Sequence, residues 1–332
     1  MLSPPVLALL FASSLQAALL LAAAVFALGL LRRWDLASGH PAQIALERRT
    51  YLVATLVGLL LLLQPFTLAL FVYNAERMAP LFSGAMCAVG TLNVNPWGFP
   101  DLYARLAVFF LAAAWLILNH LDNQGWDYPL VRRKYALLLA LAPAALIEAG
   151  LAWAYFLNLK PDVITSCCGS LFGDSGDGVS SDLAALAPAT AMGLFWGMLA
   201  LTGLAGLHFL WRRRGGRLYG LLALAGFPVA LAGVVAFLSL YIYEHPRHHC
   251  PFCLLQAEHG HAGWWLYPPL FLAATAGLGV ALAAPQARHP SLAEAAPTLA
   301  RRLTLWSLAG LALFAGLAGW YMGRSNLILM GG

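Results

Sequence analysis

Eight long apolar segments constrain this chain more than any other feature of its sequence. Crossing the hydrocarbon core of a bilayer takes about 20 apolar residues as a helix, and only helices or closed barrels satisfy their backbone polar groups there. The apolar runs are continuous and do not alternate, so they are not typical of a transmembrane barrel. We therefore expect an all-α, polytopic integral membrane protein with about eight transmembrane helices. The expected spans are 5–31, 50–73, 103–121, 135–159, 184–211, 218–243, 265–284 and 303–323.

The composition supports a chain whose main partner is the lipid bilayer. Of its 332 residues, 61% are hydrophobic and only 10% are charged, whereas soluble domains carry about 25% charged residues. The net charge of +5 does not indicate nucleic acid, because no aromatic-basic interleaving typical of strand-binding proteins occurs. The first segment is too long for the apolar region of a cleaved signal peptide and lacks its basic start. We expect a single helical domain over 1–332.

Lysine and arginine are distributed unequally between the two sets of loops, and basic residues mark cytoplasmic loops. Both termini should therefore lie outside, in a bacterial-type cytoplasmic (inner) membrane. Fourteen basic residues lie on the expected cytoplasmic side: Arg32, Arg33, Arg48, Arg49, Arg132, Arg133, Lys134, Arg212, Arg213, Arg214, Arg217, Arg288, Arg301 and Arg302. Five lie on the other side: Arg77, Arg105, Lys160, Arg247 and Arg324.

All five cysteines fall in loops that this topology places outside the cell membrane. Disulfides persist in oxidising outer compartments, so cysteines are expected on this side. The topology is inferred from basic residues alone, and the cysteine positions agree with it independently. The outer loops 74–102, 160–183 and 244–264 should form a Cys/His-rich cap that faces the periplasm or exterior. The cysteines are Cys87 in the first loop, Cys167 and Cys168 in the second, and Cys250 and Cys253 in the third.

The Cys250-Pro-Phe-Cys253 motif is the strongest local signal for chemistry. If Pro251 starts a short helix, where proline is favoured, Cys250 lies at the helix N-terminus. The helix dipole, Arg247 and the adjacent histidines would then lower the thiol pKa. This predicts Cys250 as a nucleophile and Cys253 as its resolving thiol.

The adjacent pair Cys167 and Cys168 is less easily paired. Neighbouring Cα atoms are 3.80 Å apart, below the usual range for a disulfide. A relaxed disulfide between Cys167 and Cys168 is therefore not expected. The alternatives are that these cysteines form disulfides with other cysteines, bind a metal, or act in sequence during thiol exchange. Cys87 is one candidate disulfide partner, and the odd total leaves one cysteine over.

Five of the nine histidines fall within the seventeen residues 245–261. Thiolate and imidazole suit copper, zinc or iron, so this cluster keeps a metal site open. The alternative is a polar interfacial loop whose histidines face water. The candidate ligands are His248, His249, Cys250, Cys253, His259 and His261.

The stretch Cys250-Pro-Phe-Cys253-Leu near a transmembrane segment resembles the bacterial vitamin K epoxide reductase-like family. The resemblance implies a quinone-linked thiol oxidoreductase in which Cys250 and Cys253 exchange electrons with the quinone. It further implies that Cys167 or Cys168 passes them to a partner. The chain differs from the family in the adjacency of these two cysteines and in exceeding its four-helix core.

Polar residues within the spans are further candidates. Glu148 lies inside the fourth span, where an ionisable group is a functional candidate by default; it would relay a proton, or else form a packing hydrogen bond as a neutral carboxyl. Gln64-Pro65 predicts a kink, and Gln16 is a candidate for interhelical bonding. Tyr243 is expected to belong to the interfacial aromatic belt.

Three functions stay open at this point. The leading hypothesis is a membrane thiol–disulfide oxidoreductase acting on exported thiol proteins, with quinone as acceptor. The second is a metal- or haem-handling membrane protein, or a complex subunit, with Cys/His ligands. The third is a structural membrane subunit whose loops are stapled by disulfides.

Overall fold

The computed structural model describes residues 3–36, 38, 40–161, 163, 165 and 186–329. Throughout these residues the regular structure is helical, with no β-strand. This confirms the all-α prediction. The helices are α1 (Pro4–Arg33), α2 (Pro41–Leu61), α3 (Gln64–Met78), the short α4 (Ala88–Leu92), α5 (Gly98–Asp122), α6 (Val131–Leu157), α7 (Pro188–Arg212), α8 (Gly216–Gly233), the short α9 (Ser239–Tyr243), α10 (Ala262–Ala283) and α11 (Ala295–Arg324).

Eight helical segments of the described chain are long and apolar enough to cross a membrane. Each overlaps one of the eight spans expected from the sequence, so their number and order are confirmed. The segments are Pro4–Arg33, Pro41–Leu81, Gly98–Asp122, Val131–Leu157, Pro188–Arg212, Gly216–Tyr243, Ala262–Arg288 and Ala295–Arg324.

The second span is interrupted where Gln64-Pro65 predicts a kink. Helix α2 ends at Leu61 and α3 begins at Gln64, with a turn at 62–63. Pro65 stands in the first turn of α3, where its missing N–H removes no helical hydrogen bond. Because of this break, the first turn of α3 lies within the span. The Gln64 side chain at its start lies in the protein interior and is 0% exposed.

The described residues form two compact units. The first comprises Met1–Ser83, Thr91–Val163 and Gln286–Ala296. In it α6 packs against α1 and α5, around large buried side chains such as Trp115 and Tyr135. The Tyr135 hydroxyl donates to Thr50 O at 2.8 Å, so this buried phenol has the partner it needs.

The second unit comprises Gly84–Gly90, Ile164–Pro285 and Pro297–Gly332. Helix α8 packs closely along α10 because small residues line their contact. A Cβ on Gly220 would overlap the Gly277 carbonyl and Ala281, and one on Gly277 would overlap Ala223. Lipid chains are as apolar as the helices, so such close packing is a main source of helix association in membranes. The single domain expected over 1–332 stays a prediction.

Between α8 and α9 the helix passes through a π-helical turn, Val234–Leu238. The N–H of Ser239 bonds the Val234 carbonyl five residues earlier. Such turns occur mostly as single insertions inside α-helices, frequently at functional sites.

We expect Gly220→Ala to destabilise the protein by about 1–3 kcal/mol, the usual cost of overpacking. Gly193→Ala is the matched control, since nothing lies within 4 Å of a Cβ at that helical position. Denaturant unfolding of the purified protein in detergent measures both. Equal stability of the two variants would contradict the close packing of α8 on α10.

Candidate thiol site

Three of the five cysteines meet in the second unit. The Sγ atoms of Cys87, Cys250 and Cys253 all lie within 4.8 Å of one another, and the residues are 0%, 1% and 5% exposed. Cys87 Sγ is 3.3 Å from Cys250 Sγ, well beyond the bond length of about 2.05 Å in a disulfide. The two sulfurs are therefore in contact without a covalent bond.

The motif that carries Cys250 and Cys253 is a compact turn, not the start of a helix at Pro251. Pro251 and Phe252 form a turn, and the short 3-10 helix begins only at Cys253. Its closing bonds run from Leu255 N to Phe252 O at 2.9 Å and from Gln256 N to Cys253 O at 3.0 Å. The expectation that a helix N-terminus activates Cys250 is therefore wrong; the activation has another source.

The loop that carries Cys87 is tied to the third loop by a side chain. Gln256 Nε2 donates to Met86 O at 3.1 Å, next to Cys87 in the chain. A part of the second loop also contributes, since Thr165 Oγ1 donates to Gly90 O at 2.8 Å. Cys167 and Cys168 lie outside the described residues.

Two tyrosines fix the backbone of the motif from the helices on either side of it. Tyr243, the last residue of α9, donates its hydroxyl to Cys250 O. Tyr267 in α10 donates to Pro251 O. The assignment of Tyr243 to the interfacial belt misses this role. The sequence did contain a signal for this role, because Tyr243 precedes the motif and Tyr267 follows it, each on an adjoining apolar segment.

His249 connects the motif to the π-helical turn. Its Nδ1 lies 2.9 Å from Val235 O, which also accepts from Ser239 Oγ at 3.2 Å. A carbonyl only accepts, so Nδ1 carries a proton in this contact. Burial lowers the pKa of His249, while the Val235 carbonyl opposes that shift. The ring is therefore neutral near pH 7, with Nε2 as an acceptor.

The other histidines of the loop lie elsewhere around the motif. His248 and His259 pack on the Tyr243 ring, with centroid distances of 4.2 and 4.3 Å. His261 is exposed, and its Nδ1 lies 2.8 Å from Leu255 O. Within the described residues the three sulfurs form the metal-ligand group, without a histidine nitrogen. Metal ligation by His248, His249, His259 or His261 stays a prediction.

The thiols of Cys250 and Cys253 differ in acidity because they share a hydrogen bond. The S–H of Cys253, then that of Cys87, lowers the pKa of the Cys250 thiol, and the backbone N–H groups of Cys253 and Phe252 add to this against burial. The same hydrogen bond to Cys250, with the contact to Cys87 and burial, raises the pKa of Cys253. Of these two sulfurs Cys250 therefore ionises more readily, with Cys253 as the proton-holding neighbour.

Glu148, the remaining predicted site residue, belongs to the first unit on α6. Its Oε1 is 2.9 Å from Arg105 Nη1, and its Oε2 accepts from Gln64 Nε2 at 2.9 Å. Gln16 Nε2 in turn donates to Gln64 Oε1 at 2.8 Å, which confirms the interhelical bond expected of Gln16. Arg105, counted above with the outer-side charges, lies inside α5 and is 0% exposed.

We expect Cys253→Ala to raise the pKa of the Cys250 thiol relative to Cys253→Ser, because only serine keeps a donor. A hydrogen bond to a charged group contributes about 1.5–3 kcal/mol, or about one pH unit or more. The alkylation rate of Cys250 by a small permeant reagent, followed by peptide mass spectrometry against pH, measures the shift. Identical profiles would show that the Cys253 donor does not stabilise the thiolate.

Comparison with protein-family models, with curated proteins and with solved structures finds no match for this chain.

Proposed function

We propose that this protein is a membrane-embedded thiol–disulfide oxidoreductase whose reactive sulfurs are Cys87, Cys250 and Cys253. The observation that carries the proposal is the shared position of Cys250. Its Sγ contacts Cys87 Sγ at 3.3 Å and belongs with Cys253 to the same group of sulfurs. Either neighbour can therefore form a disulfide with Cys250 after a small movement.

The acidity order assigns the roles. Disulfide exchange needs a thiolate nucleophile, and the lowered pKa of Cys250 provides it. Oxidation of Cys250 and Cys253 to a disulfide releases two electrons and two protons, which a quinone accepts to become a hydroquinone. The Cys87 sulfur then attacks Cys250 Sγ, the Cys250–Cys253 bond breaks, and the Cys87 proton passes to the leaving Cys253 sulfur. A Cys87–Cys250 disulfide results, and no net electrons are exchanged in that second step.

Delivery to an exported thiol protein requires a further thiol in this proposal. The three clustered cysteines expose at most 5% of their surface, so a protein substrate does not reach them directly. Cys167 and Cys168 are the candidates, as the resemblance to the vitamin K epoxide reductase-like family implies. Their role rests on the sequence alone.

The proposal also includes the orientation of the chain. Both termini and the cysteine loops face the periplasm or exterior of a bacterial-type inner membrane, because the basic residues favour the opposite loops. The burial of Arg105 within α5 removes one of the few basic residues from the outer side and strengthens the bias. An oxidising compartment suits disulfide chemistry.

We expect a soluble quinone to oxidise the wild-type protein with loss of two thiols. Cys87→Ser should still form the Cys250–Cys253 disulfide, and Cys253→Ser the Cys87–Cys250 disulfide. Cys250→Ser should be oxidised at least about tenfold more slowly, because the activated thiolate is gone. Acid trapping with a mass-tagging thiol reagent and disulfide mapping measure all four proteins. Equal rates in Cys250→Ser, or no thiol loss with quinone, would contradict the proposal.

A second candidate function, metal handling, is favoured by the same three sulfurs. Ligands around a tetrahedral zinc ion with Zn–S bonds of about 2.3 Å lie about 3.8 Å apart. The three sulfurs lie within 4.8 Å of one another, and Cys87 and Cys250, now 3.3 Å apart, would separate slightly to bind the ion. Thiolate also suits Cu(I). Cys87, Cys250 and Cys253 would hold the ion, with a remaining coordination position for a cargo ligand or a further residue.

If metal handling is the function, protein purified under reducing conditions should contain a stoichiometric amount of copper or zinc. Cys250→Ser should lose it, while a Met86→Leu control beside the site should keep it. Elemental analysis of the purified proteins decides this. Absence of stoichiometric metal from reduced wild-type protein, even after addition of Cu(I) or Zn²⁺, would exclude this function and leave the redox proposal standing.

A further inference from the structure

A second cluster of buried polar side chains lies in the first unit, on helices α1, α3, α5 and α6. Arg105 lies between two carboxylates: its Nε is 3.0 Å from Asp101 Oδ1 and its Nη1 is 2.9 Å from Glu148 Oε1. Asp101 and Arg105 are 0% exposed and Glu148 is 2% exposed. Ionisable groups this deep in a membrane helix bundle are functional candidates by default.

The formal charges of the cluster do not balance. Among the described residues Arg105 is the cation that contacts both carboxylates. With Asp101 and Glu148 both ionised, the cluster would carry one uncompensated negative charge. An unpaired buried charge costs several kcal/mol even after relaxation, and a buried group neutralises itself instead where it can. The cluster therefore calls for one additional positive charge, which a bound proton supplies.

The hydrogen bonds distinguish the two carboxyl groups. Glu148 is bonded at both oxygens, since Arg105 Nη1 donates to Oε1 and Gln64 Nε2 donates to Oε2. This arrangement suits an ionised carboxylate. Asp101 has less support, because Arg105 Nε approaches its Oδ1 at 3.0 Å while its buried Oδ2 has no hydrogen-bond donor. An ionised Asp101 would therefore keep one buried oxygen without a hydrogen bond, whereas an ionised Glu148 would not.

The other groups around Asp101 do not supply the missing charge. Tyr155 of α6 interacts electrostatically with Asp101, but its hydroxyl donates to Thr91 O at 3.1 Å. Ser13 of α1 is neutral and lies 3.4 Å from Arg105 Nη1. The Phe71 ring of α3 lies 4.7 Å from the guanidinium carbon. The N-terminal end of α5 favours an anion near Asp101, but its half-charge is smaller than the deficit.

We propose that Asp101 is a proton-binding site that holds one exchangeable proton at neutral pH, with Arg105 and ionised Glu148 as its fixed counter-charges. Asp101 lies three residues after the start of α5, about 4.5 Å along the helix, and Gln16 lies twelve residues after the start of α1, about 18 Å along it. The chain of contacts runs from Asp101 through Arg105, Glu148 and Gln64 to Gln16. The proton thus binds near a helix end, and a polar network extends from it toward the middle of the bundle.

A cavity lies at the ends of α1 and α3 in this unit, with a volume of about 410 Å³. Asn74, which is buried and donates to Pro5 O at 3.1 Å, is part of its lining. Phe71, one turn earlier on α3, packs on Arg105. The cavity and the cluster are thus both bounded by residues of α3, and the cavity is the candidate route for proton exchange.

Infrared spectroscopy of the purified full-length protein tests the site directly, because a protonated carboxyl has a carbonyl stretch that a carboxylate lacks. We expect the wild type to show one such band that shifts in D₂O. Asp101→Asn should lose it, and the matched variant Glu148→Gln should keep it. Loss in Glu148→Gln with retention in Asp101→Asn would overturn the assignment to Asp101, as would a spectrum unchanged by both substitutions.

Isotope labelling keeps the test valid if Asp101→Asn fails to fold. Carboxyl-¹³C aspartate should shift the band in the wild-type protein, and labelled glutamate should not. The opposite result would overturn the proposal. If the band is absent and thermal stability rises with added Na⁺ at fixed ionic strength, a monovalent cation supplies the charge and the proton site is wrong. None of these outcomes depends on the thiol chemistry, so the two proposals stand or fall separately.

Discussion

The constraint on which this structure depends is the need of each polar group in a hydrocarbon-facing bundle to find its partner within the protein. The backbone meets it by forming helices, so no strand occurs in the parts of the chain that the structure describes. Side chains meet it less easily. Some buried polar side chains are gathered into small networks such as that of Arg105, whereas Trp115 Nε1 and Thr202 Oγ1 are buried inside helices without a hydrogen-bond partner.

The thiol site shows how the helices of the second unit can hold a loop that brings cysteines together. The loop has little regular structure of its own, only turns and two short 3-10 helices, Cys253–Leu255 and Ala257–His259. Its backbone carbonyls accept from Tyr243 and Tyr267 on the adjoining helices, and His249 reaches back to Val235. The sulfur geometry is thereby fixed by the transmembrane helices, and the acidity of Cys250 follows from the neighbours that this geometry places beside it.

Sequence reasoning predicts the parts of this molecule that depend on local pattern. Spans of the right number and order follow from hydropathy, and the break at Gln64-Pro65 follows from proline chemistry. The contact of Cys87 with Cys250 could not be predicted, because loops far apart in the chain pair through tertiary packing. Asp101 and Arg105 were missed for a different reason. Their charges lower local hydropathy, so the expected span begins at 103 and leaves Asp101 in a loop and Arg105 among the outer-side charges, whereas they are partners inside α5.

The π-helical turn at Val234–Leu238 has a consequence for how the chain can vary. An α-helix rotates by about 100° per residue, so an insertion of one residue is a rotation of everything that follows it about the helix axis. Removing one residue there would restore a regular α-helix and turn Ser239–Tyr243 to a different side. Tyr243 would then no longer point at the Cys250 carbonyl, to which it donates a hydrogen bond in the present structure. The length of this helix therefore sets the angular position of the loop, and a single deletion within it would change the geometry of the thiol site without altering a cysteine.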